Sequence, residues 1–253
     1  GKHTYTLREV RGNVGGITYD AATYTIETVV KDNGDGTLGV EHKLKGADEA
    51  KFTNSYEPGS KSSSVTDQIT ATKSLTGRKL AAGEFSFELV EGDKVVATGT
   101  NDASGNITMG TVKYDKAGTH TYTLREVNGG TTSKGIAYDG KTYTIVTTIT
   151  DEGDGTLKAE HVLKDAKAAE FKNSYNLTPT ESSVTDQVKA TKFLTGRALA
   201  AGEFSFELVE GDKVVATGKN AADGTVVMDK ITYDKPGKHT YTLREVRGNV
   251  GGI

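Results

Sequence analysis

The chain of 253 residues contains no cysteine and no tryptophan, with only two methionines and three prolines. Without cysteine there are no disulfides, no thiolate nucleophile and no cysteine-based metal site, so a protein working outside a cell needs another source of toughness. No apolar run approaches membrane-spanning length and no signal peptide opens the sequence. The sequence begins inside a strand-like pattern, so missing targeting signals say nothing about a parent protein. Hydrophobic residues make up only 34% of the chain, poor material for a thick helical core but suited to thin β-sandwiches with many turns. The formal net charge of −3 comes from interspersed signs, and no basic stripe points to nucleic acid. Gly-rich phosphate loops and Ser-His-Asp sets are likewise missing, so no cofactor is expected.

What the chain has instead is internal repetition. The segment beginning SSVTDQ and ending KVVATG, Ser63–Gly99, returns nearly unchanged at Ser182–Gly218. HTYTLREV begins at His3, His120 and His239; ITYD at Ile17 is matched by IAYD at Ile136; DNGDGTL at Asp32 by DEGDGTL at Asp151; FTNSY at Phe52 by FKNSY at Phe171. The period of about 118 residues is the length of a domain, not of a solenoid turn. One unit is complete, residues 62–176. Residues 1–57 read as the back part of a unit and residues 182–253 as the front part of another, with flexible joints expected at EPGSKSS around Pro58 and NLTPTES around Pro179. Residues 1–17 recur as residues 237–253, consistent with a window from a near-identical array.

Turn signals such as Asn33-Gly34-Asp35-Gly36, Asp154-Gly155 and Asp223-Gly224 bound short stretches of alternating apolar and polar residues. The expected class is all-β, as tandem immunoglobulin-like two-sheet sandwiches, with at most one helical turn at LAAGE. In three strands the alternation aims a polar residue into an apolar row. Lys73 shares a face with Ile69, Ala71 and Leu75; Glu126 with Tyr122 and Leu124; Asn173 with Phe171 and Tyr175. Burying a charge is costly unless it is paired or neutralised, and here Lys, Glu and Asn recur together. A desolvated lysine becomes a neutral nucleophile, and a protonated Glu126 would polarise the Asn173 amide carbonyl. Attack on that carbon and loss of ammonia would leave an amide joining two strands, formed once and without turnover. The facing alone fits equally a buried Lys–Glu ion pair with the asparagine satisfying leftover hydrogen-bonding groups.

The combination ATK-x-L-TG, EFSFEL, YTLREV, ITYD or IAYD, DGDGTL and F-x-N-S-Y resembles the isopeptide-linkage repeats of Gram-positive pilins, the CnaB-like domains of streptococcal major-pilin type. The resemblance runs through the complete unit and both partial ones. It implies an inverse immunoglobulin-like sandwich in which a first-strand lysine bonds a last-strand asparagine beside a glutamate, which falls on Lys73, Asn173 and Glu126. In the partial units it falls on Lys192 with Glu245, and on Glu9 with Asn54. Neither partial unit holds the whole set. No sortase motif of LPxTG type and no pilin lysine of YPKN type is found, which favours the repeat stalk of a wall-anchored adhesin over a polymerised pilus subunit. The implied setting is extracellular, on the cell wall of a Gram-positive bacterium, with a host ligand engaged by a tip outside this stretch. The alternative is that the repeats themselves bind matrix protein or glycan, with RGNVGGI versus NGGTTSKGI as the variable loop.

The complementary partial units also predict head-to-tail assembly, Lys192 of one chain bonding Asn54 of the next; the plainer reading is two disordered ends. The D-x-G-D-G-T segments lack the distal acid of a calcium loop and read as hairpin turns, with no metal site expected. The five histidines, His3, His42, His120, His161 and His239, read as surface residues, and Arg8, Arg125 and Arg244 as solvated.

Overall fold

A computed structural model describes residues 1–248. It is built from β-strands and two short 3-10 turns, without an α-helix among the described residues. The chain divides into two compact units, Gly1–Ser174 and Tyr175–Ile253.

Within the first unit, residues 1–57 contribute β1 (Lys2–Arg8), β2 (Ile17–Thr18), β3 (Thr23–Asp32), β4 (Leu38–Lys45) and β5 (Ser55–Tyr56). These give a sheet in the order β1-β3-β4 and a short β2–β5 ladder. The complete repeat follows with β6 (Lys61–Ser63), β7 (Ala71–Thr76), β8 (Ser86–Glu91), β9 (Lys94–Asn101), β10 (Ile107–Met109) and β11 (Val112–Tyr114). It continues with β12 (Gly118–Glu126), β13 (Thr132–Ser133), β14 (Ile136–Ala137), β15 (Thr142–Asp151), β16 (Leu157–Leu163) and β17 (Ala169–Tyr175).

Two sheets make the body of this repeat, one ordered β10-β9-β8-β12-β15-β16 and the other β13-β14-β17-β7. Their inner faces meet through Phe87, Leu89, Leu124, Ile145 and Phe171, all fully buried. The Phe87 and Phe171 rings, one from each sheet, lie 5.1 Å apart. Large aromatic and β-branched side chains at every second position give each strand one apolar face, and the sandwich is the arrangement that buries both.

The first and last long strands, β7 and β17, run side by side in parallel, with Lys73 opposite Phe171 and Asn173 opposite Leu75. A parallel pair cannot be joined by a tight turn. The rest of the repeat is the connection, and it brings sequence-distant strands into one ladder.

In the second unit, β18 (Thr180–Ser182) pairs with β22 (Ile231–Tyr233). Strands β19 (Ser205–Glu210), β20 (Lys213–Asn220), β21 (Val226–Met228) and β23 (Thr242–Glu245) form a sheet ordered β21-β20-β19-β23. Its core of Phe204, Phe206, Leu208, Ala216, Val226 and Met228 repeats the corresponding half of the complete repeat.

The helical turn expected at LAAGE is not formed. Instead Val65–Asp67 and Val184–Asp186 form the 3-10 turns, because Ser64 and Ser183 accept from the amides of Thr66 and Thr185. The Asp67 and Asp186 carboxylates reach back to the serine amides, completing capping boxes. The two joints are also more ordered than their composition predicts. Lys61–Ser63 is strand β6, paired with β11, and Thr180–Ser182 is β18.

Candidate functional site

Alternation along β7, β12 and β17 carries three polar side chains into the sandwich. Lys73, Glu126 and Asn173 are buried beside Ala71, Leu124 and Phe171, while Thr123, Arg125 and Lys172 face out. The backbone of Lys73 is pinned by donation of its amide to Gly105 O at 2.7 Å. Gly105 has φ +94° and a Cβ there would lie 2.2 Å from Lys73 O, so only glycine fits this turn.

Glu126 stands between the other two. Lys73 Nζ donates to its Oε2 at 2.8 Å, and Asn173 Nδ2 donates to its Oε1 at 2.7 Å. The side chains of Lys73 and Glu126 have no solvent exposure. Phe85 covers the ammonium, with Nζ 4.6 Å from the ring centroid. Burial pushes the Lys73 pKa below its ordinary value, opposed by the hydrogen bond and charge of Glu126. Burial likewise raises the Glu126 carboxyl, opposed by Lys73 and Asn173. Both shifts favour the neutral pair, an amine beside a carboxylic acid.

Sequence reasoning missed one member of the site. The Asn173 carbonyl does not face Glu126; Oδ1 accepts from the Asp139 backbone amide at 2.7 Å. An N–H has to meet an oxygen, which turns the amide nitrogen toward the carboxyl group. The expectation that Glu126 polarises the carbonyl is therefore corrected: a backbone donor occupies that position. Asp139 is fixed in turn by its carboxylate, which accepts from the amides of Lys141 at 3.0 Å and Lys172 at 2.8 Å. The signal was available, since Asp139 and Asp20 are the last residues of the recurring IAYD and ITYD.

The partial units hold complementary fractions of this arrangement. In residues 1–57, Asn54 Nδ2 donates to Glu9 Oε1 at 2.7 Å and Asn54 Oδ1 accepts from the Asp20 amide at 2.8 Å. The second oxygen, Glu9 Oε2, is buried and has no hydrogen-bond partner among the described residues. It is the oxygen corresponding to the one Lys73 occupies on Glu126. In the second unit Lys192 Nζ lies over the Phe204 ring, 4.0 Å from its centroid, and donates to both oxygens of Glu245 at 2.8 and 2.9 Å. There the side chains are 17% and 40% exposed.

The remaining sequence expectations sort as follows. Asp32–Leu38 and Asp151–Leu157 are hairpin turns, linking β3 to β4 and β15 to β16. His161 is not a surface residue. It is buried, with Nδ1 2.7 Å from Thr147 Oγ1 and Nε2 2.8 Å from Ser63 Oγ. Arg125 and Arg244 are exposed and lie against Glu88 and Glu207.

A family profile described as FctA, the Spy0128-like isopeptide containing domain, matches residues 1–57, 69–176 and 188–253. Among curated protein sequences none matches the chain. Among solved structures, the major pilin protein (T-13) of Streptococcus pyogenes is 19% identical over 76% of this chain and 85% of that chain, with a TM-score of 0.31. A mutant of the major pilin from Streptococcus pyogenes is 16% identical, covering 76% of each chain, with a TM-score of 0.30.

Proposed function

Since the chain belongs to the family of Spy0128-like isopeptide containing domains, we propose that it is a structural stalk segment of a Gram-positive surface fibre whose complete repeat closes itself with a Lys73–Asn173 amide. The observation that carries this reading is the buried carboxyl of Glu126, held on one oxygen by Lys73 Nζ and on the other by Asn173 Nδ2.

The reaction follows from those contacts. Transfer of the ammonium proton to Glu126 gives a neutral amine and a carboxylic acid, the state that burial favours. The amine nitrogen attacks Asn173 Cγ, and the charge developing on Oδ1 is met by the Asp139 amide. Glu126 delivers its proton to Nδ2 and takes one from the attacking nitrogen. The Cγ–Nδ2 bond breaks and ammonia leaves, while Glu126 ends as the carboxylic acid, holding the proton first taken from Lys73 until the departing ammonia or solvent removes it. No side chain is regenerated for a second round, so the repeat is a single-turnover substrate of its own chemistry and not a turnover enzyme.

The bond would join neighbouring parallel strands at the two ends of the repeat. Tension applied through the start of β7 and the end of β17 would then run through a covalent link instead of shearing the ladder. This fits a rigid spacer on the wall of a Gram-positive cell, in a pilus-like fibre or the stalk of an adhesin that presents a host-binding tip.

Head-to-tail complementation extends the same reading. A lysine strand docked on residues 1–57 would supply the missing partner of Glu9 Oε2, and closing strands docked on residues 182–253 would bring an asparagine to Lys192. Another copy of the chain carries both. One of the two duplicate glutamate strands must yield in such a complex, which makes it a strand exchange.

Intact mass tests the central claim. One amide in the complete repeat lowers the mass of the chain by one ammonia, and a chain at its full calculated mass overturns it.

A further inference from the structure

The turn between β15 and β16 does more than reverse the chain. Tyr56, at the end of β5, donates its hydroxyl to Asp151 Oδ1 at 2.6 Å and accepts from the Gly155 amide at 3.2 Å. Gly155 O accepts from the Gly59 amide at 2.8 Å. The loop Gly15–Gly16, which leads into β2, packs backbone to backbone on the same turn. A Cβ on Gly15 would lie 2.3 Å from Asp154 O, and one on Gly155 would lie 2.4 Å from the Gly15 carbonyl carbon. Gly16 has φ +77° and Gly155 φ +90°, conformations in which a side chain is strained in any case. The β2–β5 ladder, Ile17 opposite Tyr56, ties the two halves of this tail together.

The same turn occurs a second time in the chain and serves as an internal comparison. At Asp32–Thr37 the Gly34 amide donates to Asp32 Oδ1 and the Thr37 amide to Asp35 Oδ1, both at 2.9 Å. At Asp151–Thr156 the corresponding distances are 2.9 and 3.0 Å. A Cβ on Gly34 or Gly36 would meet nothing within 4 Å. The turn thus holds its shape by its own aspartates whether or not a tail lies on it. It is a preformed surface presenting an aspartate oxygen, an amide and a carbonyl.

We propose that the D-x-G-D-G-T turn is the docking surface for the tail of the preceding repeat wherever that tail carries glycine at the position of Gly15, the residue that permits the dock. The occupant is defined by its chemistry: a tyrosine hydroxyl to bridge the aspartate and the glycine amide, and a glycine pair to let two backbones touch. The loop RGNVGGI meets that requirement, whereas the other loop, NGGTTSKGI, has Lys134 where the first has Gly15. Any side chain at this position needs a different joint, because the backbones lie closer than a Cβ allows. Alternation of the two loop types along an array would then set which joints are stiff. The proposal does not depend on the amide bond in the complete repeat, since none of its contacts involves Lys73, Glu126 or Asn173.

Residue-resolved amide hydrogen exchange on the full chain tests it, with wild type compared against Y56F and G15K. The Gly59 and Gly155 amides are expected to be protected in wild type. G15K should speed exchange at both by about tenfold or more, while the Thr156 amide, bonded within the turn, keeps its rate. Y56F, which removes only a hydroxyl and leaves the loop intact, should speed Gly155 in the same direction and guards against G15K perturbing its own repeat. Gly59 and Gly155 exchanging in wild type as fast as an open linker would overturn the proposal. So would protection at both sites that neither substitution changes.

Discussion

Lys192 Nζ donates to both carboxylate oxygens of Glu245, at 2.8 and 2.9 Å. Lys73 reaches only one oxygen of Glu126, because Asn173 holds the other. The difference is the closing strand. Where β17 is present it supplies the asparagine, and in that repeat Leu124 is fully buried; Leu243, the counterpart of Leu124, is 37% exposed. The same residue types are an enclosed, hydrogen-bonded triad in one repeat and a half-open ion pair in the other. Among the described residues no asparagine holds an oxygen of Glu245, since Lys192 takes both, so the lysine has no amide carbon beside it.

The first prediction concerns what that ion pair does alone. Within a monomer, Lys192 stays unlinked, so the chain loses one ammonia and no more. If strand exchange between copies occurs, a concentrated sample run on a denaturing gel shows a ladder of covalent oligomers. K192A and N54A each reduce the ladder to monomer, whereas K73A does not. Monomers alone in wild type at high concentration dismiss the exchange, and a ladder that survives K192A assigns it to other residues.

Asp139 gives a second prediction. Its side chain touches neither reacting atom, and it acts by holding the backbone amide that faces Asn173 Oδ1. D139A should fold but leave a measurable fraction of chains at full mass, with the linked fraction rising slowly on incubation. D139N, which keeps one acceptor oxygen, should recover part of the rate. E126A should remain wholly unlinked, because proton transfer itself is lost. Equal and complete linkage in D139A and wild type would remove the positioning role.

Much of this arrangement was legible in the alternation of single strands. Ala71, Lys73, Tyr122, Leu124, Glu126, Phe171 and Asn173 all lie on the buried faces that a period of two assigns them. The contacts that were not legible are those made by backbone. The Asp139 amide carries no mark in the sequence beyond a repeated aspartate. The 3-10 turn at Val65–Asp67 depends on a serine whose capping role competes with a strand pattern on paper. His161 was misread although alternation along β16 places it with Leu157 and Ala159 on the buried face; a polar ring is tolerated there because Thr147 and Ser63, the latter on a strand far away in sequence, meet its two nitrogens. The joint at Pro58 looked flexible because serine and glycine mark it, yet the Gly59 amide donates to Gly155 O and Lys61–Ser63 pairs with β11.

Stability supplies a third prediction. N173A would remove the proposed link, which closes a loop of about 100 residues and would be worth on the order of 4–5 kcal/mol in the chain-entropy treatment of cross-links. Denaturant unfolding should place N173A below wild type by about that amount. A difference under about 1 kcal/mol, well short of the chain-entropy figure, would mean that wild type is not linked.

The last prediction follows from His161. The ring is buried between Thr147 and Ser63, and burial lowers its pKa below the ordinary value of 6.5, opposed only by the charge of Asp67. A base whose folded pKa is depressed binds its proton first in the unfolded chain. Its stabilising contribution is therefore present above 6.5 and is lost as pH falls through 6.5 toward the folded value. Glu126 acts in the opposite sense, since its raised pKa lets the folded state take up a proton above 4.5 while the unfolded state has none. The two are separated by substitution. Wild type minus H161Q, measured as the change in unfolding free energy between neutral pH and about pH 5, isolates the histidine and should be a loss on acidification. An unchanged acid slope in H161Q would show that the proton is taken up elsewhere.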